Sequence, residues 1–256
     1  MEYNKSTNYT IEEFKEIIEI LRSDNGCPWD RVQTHESLKP CMMEEAAEVL
    51  AGIRILDKTG NGENLKEELG DVLLQVVMHS QIAKEEGLFS FEDVVDDVSR
   101  KMIRRHPHVF VQDGQKADSV DQVLTNWEDI KKQEKQRKEW AKQPLHEIPM
   151  ELPALTRGTK VVKKLNKLYP PQPDLKQTIC DLRILSEKIA SLTEQFEKNG
   201  KDGSPSAQGQ AEELKLQIPK LLWQICSIGA NYGISIEQLL VNEIENVIEK
   251  YEPEKA

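Results

Sequence analysis

EEAAEVLAGIRIL at residues 44–56 and EELGDVLLQVV at residues 67–77 are the two stretches of sequence that decide the fold. In both stretches, apolar residues recur three and four positions apart, a spacing that places them on one face of an α-helix. Each stretch also contains two acidic residues three positions apart, so a pair of carboxylates projects from one helix face. The sequence therefore predicts two neighbouring amphipathic helices, each with a pair of acids set among apolar residues.

Helical spacing continues through nearly the whole chain, and no run of alternating apolar and polar residues predicts a strand. The predicted fold class is therefore all-α. Ser37 is the expected N-cap of the first acidic helix, and Gly87 the expected stop signal of the second. After a first helix that ends near Ser23, the predicted helices cover about residues 37–56, 63–86, 90–102, 120–142, 154–168, 175–198, 211–232 and 235–251.

Composition excludes several classes of function. The formal net charge of −11 over 256 residues argues against binding to nucleic acid or to a membrane surface, because anionic partners attract the opposite charge. No apolar run approaches the roughly 20 residues that a membrane span needs, and the first residues lack the apolar core of a secretory signal. The cysteines lie far apart with no C-x-x-C pair, which predicts reduced thiols and a cytoplasmic location. They are Cys27, Cys41, Cys180 and Cys226.

The pattern of breaks predicts two domains. Residues 143–153 contain three prolines and are expected to form a linker between residues 1–142 and residues 154–256. A segment rich in Gly, Ser and Gln near residues 199–210 is expected to be flexible.

The acidic pairs are Glu45 with Glu48, and Glu68 with Asp71. If the two helices pack as an antiparallel hairpin, four carboxylates converge, and their mutual repulsion must be neutralised by protons or cations. Oxygen ligands select Mg²⁺ or Mn²⁺, and protein-bound Mg²⁺ commonly recruits substrate phosphates. The residues thus predict a Mg²⁺ site facing a polyphosphate, and the alternative is two solvated acidic faces.

An ordered series of motifs from about Thr10 to Trp140 resembles the MazG family of nucleoside triphosphate pyrophosphohydrolases. The motifs are CPWDRVQTHESL, EEAAEVL, EELGDVLLQVV, KMIRRHPHVF and NWEDIKKQEK. The resemblance implies a catalytic domain at residues 1–142 with a four-helix-bundle core, usually assembled as a homodimer. It also implies Mg²⁺-dependent cleavage of a nucleoside triphosphate to a monophosphate and pyrophosphate, with ribonucleotides and deoxyribonucleotides both open as substrates.

The resemblance also assigns site residues. Glu45, Glu48, Glu68 and Asp71 match metal-binding carboxylates, for Mg²⁺ or Mn²⁺ as its substitute. Glu44 matches the first acid of the motif, either as a ligand of a second metal or as a general base.

Three further residues match the substrate-binding positions of the family. Lys101 and Arg105 match cations that contact substrate phosphates, with Arg104 able to replace either, although solvated cations near a helix C-terminus are the alternative. Trp127 matches a residue near the nucleotide, where its ring could stack on a base, and core packing is its alternative.

The second half resembles a degenerate copy of the same domain. Residues 221–225 and 233–239 parallel residues 72–76 and 88–94, and this alignment places Gln217 opposite Glu68 and Lys220 opposite Asp71. Helix-forming character survives there but the ligand set does not, so catalysis is expected only in the first half. A module of another class, which binds NTP·Mg without turnover for regulation or interaction, is the alternative for the whole protein.

Overall fold

The computed structural model describes residues 8–110, 119–136, 143–199 and 205–252, and all regular elements in these ranges are helices. The all-α prediction is therefore confirmed. The chain divides into two compact units, Met1–Lys131 (unit 1) and Lys132–Ala256 (unit 2). Among the described residues, no helix combines the length and apolar character needed to cross a bilayer.

Unit 1 is built around a central helix. The helices are α1 (Ile11–Arg22), α2 (Pro28–Arg31), α3 (Lys39–Thr59), α4 (Glu63–Glu85), α5 (Phe91–Arg105), α6 (Pro107–Phe110) and α7 (Val120–Gln136), the last of which runs past residue 131 into unit 2. Helix α4 packs against α1, α3 and α5, so the two acidic stretches form adjacent helices as the sequence predicts. The part of the fifth predicted helix at residues 137–142 lies outside the described residues.

Local signals explain where these helices begin and end. Thr10 and Ser90 are the N-caps of α1 and α5, and the hydroxyl of each accepts a hydrogen bond from the backbone N–H three residues later. The acid at that later position accepts a hydrogen bond from the backbone N–H of the cap residue, which completes a capping box. The predicted cap of α3 is wrong by one residue: Leu38 is the N-cap. The backbone N–H of Ser37 donates to the hydroxyl of Thr34, whose own N–H donates to the Ser37 hydroxyl. The Ser37 hydroxyl is therefore engaged with the preceding turn.

The core of unit 1 lies where α1, α4 and the start of α3 meet. Its buried members are Ile18, Leu38, Val77, Met78 and Ile82. Burial of each of these side chains contributes about 1.5–3 kcal/mol to the stability of the fold. Their contacts hold α4 against α1 and the start of α3.

The close approach of α3 and α4 depends on Gly52, which is buried within α3. A Cβ atom at this position would lie 2.9 Å from Leu65 Cα and 3.1 Å from Asn64 Oδ1. Only glycine therefore allows the two backbones to lie this close, and the crossing point is one turn from Glu48 on α3.

Hydrogen bonds of Arg22 and a pair of histidines hold the segment between α1 and α3. The buried guanidinium of Arg22 donates from Nη1 to the carbonyls of Asp30 (2.6 Å) and Gln33 (3.2 Å), and from Nη2 to Glu85 Oε2 at 2.7 Å. His35 Nδ1 lies 2.8 Å from His79 Nδ1 on α4, with ring planes 5° apart and ring centres separated by 5.1 Å. The two Nδ1 atoms are thus within hydrogen-bond distance, and which of them donates depends on which nitrogen of each ring is protonated.

Unit 2 repeats the arrangement of unit 1. It contains α8 (Ala154–Leu168), α9 (Leu175–Asn199), α10 (Pro205–Tyr232) and α11 (Ile236–Tyr251), and α10 packs against the other three as α4 does in unit 1. Residues 143–153 form turns and irregular structure without a helix. Residues 205–210, within the segment expected to be flexible, form the start of α10.

The helix ends support this internal repeat. Gly87 and Gly233 both adopt positive φ, at 70° and 69°, the left-handed conformation that glycine adopts without steric cost. The N–H of the next residue bonds five residues back in both units, Leu88 to Ala83 and Ile234 to Gly229. A capping serine then opens the following helix in each unit.

Candidate active site

Three carboxylates converge at the crossing of α3 and α4. One oxygen each from Glu45, Glu48 and Glu68 lies within 4.8 Å of the other two. Glu45 and Glu68 are half-buried, and Glu48 is exposed. Asp71, one turn after Glu68 on α4, is close enough for its charge to act on both Glu45 and Glu68. The antiparallel hairpin expected from the sequence thus brings the predicted acids to one place.

Partial burial and repulsion between the carboxylates raise the pKa values of two members of the cluster. Partial burial raises the pKa of Glu45 above its ordinary value, and the charges of Asp71, Glu48 and Glu68 raise it further. The pKa of Glu68 is also raised, first by partial burial and then by Glu48 and Asp71. Carboxylates in this position favour neutralisation by a proton or a cation.

The donor set fits a divalent cation of the Mg²⁺ type. Oxygens bound to Mg²⁺ lie at about 2.0–2.1 Å, so two of them across the ion are at most about 4.2 Å apart. The 4.8 Å limit on the three oxygens of Glu45, Glu48 and Glu68 is less than an ångström wider than this, a difference that side-chain rotation can close. Mg²⁺ usually retains waters and binds through few carboxylates, which agrees with the exposed position of Glu48.

Asn64 is a neighbour of the cluster that sequence reasoning missed. Its Nδ2 donates to Glu68 Oε1 at 2.8 Å, and its Oδ1 faces Gly52 on α3. The available signal was the spacing of four residues between Asn64 and Glu68, which places an amide and a carboxylate on one helix face.

The predicted substrate-binding residues lie on α5 and α7. Arg105 and Trp127 come together, since the Arg105 guanidinium carbon lies 4.9 Å from the centre of the Trp127 ring. The ammonium of Lys131 lies at the same distance from that ring. Lys101 lies one turn before Arg105 on α5 and is half-buried. A cation over an aromatic ring is attracted by the ring quadrupole, so α5 and α7 are joined at this point.

Glu44 lies beside the cluster in sequence but is exposed on α3, and the three converging oxygens belong to Glu45, Glu48 and Glu68. Glu44 is four residues before Glu48 and so lies next to it on the helix surface, whereas it points about 100° away from Glu45.

Comparison with known proteins gives the family. Residues 33–110 match the model of the MazG nucleotide pyrophosphohydrolase domain, a range that contains all four predicted metal ligands. The chain is 44% identical to the nucleoside triphosphate pyrophosphohydrolase/pyrophosphatase MazG of Thermotoga maritima, over 96% of its own length and 86% of that protein. The chain belongs to the MazG family. The resemblance drawn from the ordered motifs is confirmed.

Other relatives match part of the chain. The nucleoside triphosphate pyrophosphohydrolase of Escherichia coli K12 is 42% identical over 155 residues, which cover 60% of this chain and 56% of that protein. The Bacillus subtilis protein YabN is 50% identical over 59% of this chain and 29% of its own length. The chain thus spans most of one relative and a smaller share of the others.

Unit 2 carries a different set of residues at the place that the acids occupy in unit 1. Aligned on the helix caps at Gly87 and Gly233, Gln217 falls opposite Asp71 and Leu214 opposite Glu68. This register differs by three residues from the one drawn from apolar patterns, because a shift of three residues keeps a helix face nearly unchanged. Both registers remove the metal ligands of α4 from unit 2.

Proposed function

We propose that unit 1 hydrolyses nucleoside triphosphates to monophosphates and pyrophosphate with Mg²⁺ held by Glu45, Glu48, Glu68 and Asp71. Membership of the MazG family gives the class of reaction, the hydrolysis of an acid anhydride in a nucleotide. The observation that supports the location is the convergence of three carboxylates at the crossing of α3 and α4. Mn²⁺ fits the same oxygen donors.

Each group of residues has a distinct role in this proposal. The four carboxylates hold the cation, which when bound would offset the negative charge of the triphosphate and of the departing pyrophosphate. Lys101 and Arg105 bind phosphate oxygens, and Trp127 lies beside the nucleoside. Two roles fit the exposed Glu44, accepting the proton of the attacking water or binding a second cation.

Homodimer formation is part of the same proposal. The support is the number of large apolar side chains that α3, α4 and α5 leave exposed, because apolar residues that together form a large exposed patch commonly mark an interface. They include Met43, Leu50, Ile53, Leu69, Leu73, Val98 and Ile103. Leu50 is the most exposed of these at 68%. A measurement of the mass of the protein in solution tests whether it forms a dimer.

A cytoplasmic location is the compartment proposed, supported by four cysteines that are all free thiols.

The test is a panel of ribonucleoside and deoxyribonucleoside triphosphates with the products identified. Monophosphate and pyrophosphate are the expected products, whereas diphosphate and phosphate would contradict the proposal. Binding of NTP with Mg²⁺ but no product would favour a module that binds without turnover.

Variants of the full chain then locate the reaction. Asp71→Asn keeps the shape of the side chain and removes one ligand charge, so turnover should fall by roughly 100-fold or more with helicity unchanged. Glu68→Gln combined with Asp71→Asn should abolish pyrophosphate release, and substantial Mg²⁺-dependent release by this double variant would place a second site in unit 2.

A further inference from the structure

Asn64, an uncharged residue at the start of α4, has two amide atoms that face different partners. Nδ2 donates to Glu68 Oε1 at 2.8 Å in a partly buried setting. Oδ1 lies on the side of Gly52, where a Cβ atom would come within 3.1 Å of it. The space left by Gly52 therefore lets the Asn64 amide lie between the backbone of α3 and the Glu68 carboxylate.

This hydrogen bond limits how the Glu68 carboxylate can rotate. The carboxyl group has two oxygens, and a donor fixed on Oε1 leaves Oε2 as the oxygen with both lone pairs available. Without the bond, the carboxylate would turn about its last torsion, which is broad and nearly two-fold in free glutamate. A fixed orientation matters because the Glu68 carboxylate would bind the same cation as Glu45 and Glu48.

In unit 2, an acid one position before Leu214, the residue aligned with Glu68, has different partners. Glu213 on α10 accepts a hydrogen bond from Gln217 Nε2 at 2.6 Å, and the same oxygen pairs with the ammonium of Lys188 on α9 at 2.6 Å. The charge of Glu213 is thus neutralised within the chain. Glu68 in unit 1 has a neutral amide as its hydrogen-bond donor, which orients the carboxylate and leaves its charge in place.

We propose that Asn64 is a positioning residue for Glu68, which it holds in the rotamer that a bound divalent cation requires. The inference rests on the proposed function, since it takes Glu68 as a metal ligand. Asn64 touches neither substrate nor cation and acts through the carboxylate. Loss of a hydrogen-bond partner that orients a metal ligand commonly lowers metal affinity by about 10- to 100-fold.

The test measures Mn²⁺ binding to the nucleotide-free full-length protein, by electron paramagnetic resonance of the free ion, together with the dependence of pyrophosphate release on Mg²⁺ concentration. Asn64→Leu keeps the branching of the side chain and removes the donor, and Asn64→Ala is the second variant if the larger leucine disturbs folding. Both should weaken Mn²⁺ binding by about 10- to 100-fold. Both should also raise the Mg²⁺ concentration needed for half-maximal rate, with kcat at saturating Mg²⁺ close to wild type. Asn64→Gln, which retains an amide donor, should restore part of the affinity.

Asn246→Leu is the matched control. Asn246 is an exposed asparagine on α11 whose amide also lies near a carboxylate of its own helix, 3.5 Å from Glu243 Oε2. This variant should bind Mn²⁺ as wild type does. Wild-type Mn²⁺ affinity in Asn64→Leu or Asn64→Ala, with only the melting temperature lowered, would overturn the positioning role. A wild-type protein that neither binds Mn²⁺ nor releases pyrophosphate would instead overturn the proposed function.

Discussion

Arg105 lies over the ring of Trp127 and covers one face of it. In the proposed function, Arg105 binds phosphate and Trp127 lies beside the base. A base can stack on that face only if the guanidinium moves away. Binding of a triphosphate would supply the reason for such a movement, because a phosphate oxygen is a stronger partner for a guanidinium than an aromatic ring is. Under the proposed function, the contact would therefore link phosphate binding to exposure of the tryptophan.

Arg105→Ala should raise KM for the triphosphate by roughly 10- to 150-fold, which corresponds to the loss of about 1.5–3 kcal/mol from a charge-assisted hydrogen bond. Tryptophan fluorescence should also change on substrate binding in wild type and change less in the variant. Arg100→Ala is the control, because Arg100 is exposed on the same helix and pairs with Asp96. Unaltered KM and kcat in Arg105→Ala would limit Arg105 to packing against Trp127.

Glu85 gives a prediction for pH. Hydrogen bonds from the buried Arg22 are the main reason that the pKa of Glu85 lies below its ordinary value of 4.5. A carboxylate with a lowered pKa in the folded state stabilises the fold fully above its unfolded pKa, and this contribution is lost as the pH falls through the folded pKa. Glu85→Gln should therefore be less stable than wild type at pH 7, and the difference should shrink as the pH falls below about 4.5.

Urea unfolding at pH 7 and at a series of pH values below 4.5 measures this difference. Glu19→Gln is the control, since Glu19 pairs with Lys84 at the surface, where ion pairs contribute little. A constant difference between wild type and Glu85→Gln at all pH values would show that the Arg22 contact does not depend on the charge of Glu85.

At the level of elements, the crossing of α3 and α4 depends on a single missing methyl group. Gly52→Ala gains about 1 kcal/mol in helix propensity, but a Cβ atom 2.9 Å from the Leu65 backbone forces the helices apart at a cost of about 1–3 kcal/mol. We expect a net loss of stability of up to about 2 kcal/mol and lower affinity for Mg²⁺, because Glu48 and Glu68 lie on the two helices that separate.

Gly70→Ala is the matched control in α4. Nothing lies within 4 Å of a Cβ atom at Gly70, so the substitution should stabilise the helix by up to about 1 kcal/mol. Thermal unfolding of both variants measures the contrast. Equal or greater stability of Gly52→Ala would show that α3 and α4 tolerate a wider separation.

Sequence patterns predicted the longer helices well because several have strong local signals, such as the apolar stripe of α4 and the cap at Ser90. The four-residue helices α2 and α6 were not predicted. The pairing of acids was predictable for the same reason, since Glu45 and Glu48 share a face at helical spacing. Contacts between elements were not predictable in this way. No local pattern indicates that Gly52 faces Leu65.

The choice of partner for a long side chain was equally hidden in the sequence. Arg105 lies over Trp127, although 21 intervening positions separate the two residues and part of that connection lies outside the described residues. The position of the repeat in the second half also needed the structure. Apolar spacing allowed two registers three residues apart, and the glycine caps at Gly87 and Gly233 favour one of them.

At the scale of the whole molecule, the carboxylates of the two units have different surroundings. In unit 1, partial burial and the charges of neighbouring carboxylates raise the pKa values of Glu45 and Glu68. In unit 2, Lys188 and Gln217 both lie 2.6 Å from Glu213, whose pKa is lowered by these contacts. Under the proposed function, a cation from solution would neutralise the carboxylates of unit 1, whereas Lys188 of the chain itself pairs with Glu213.

Lys188 is covalently part of the chain, so no chelator can remove it. A cation bound in unit 1 can be extracted with EDTA, and the folded state of that unit then loses the stabilisation that a ligand provides by mass action. Differential scanning calorimetry with Mg²⁺ and with EDTA should therefore show a transition for unit 1 that shifts to lower temperature and one for unit 2 that stays in place. A shift of both transitions would contradict this prediction, because it would show that the stability of unit 2 also depends on metal despite the ion pair with Lys188.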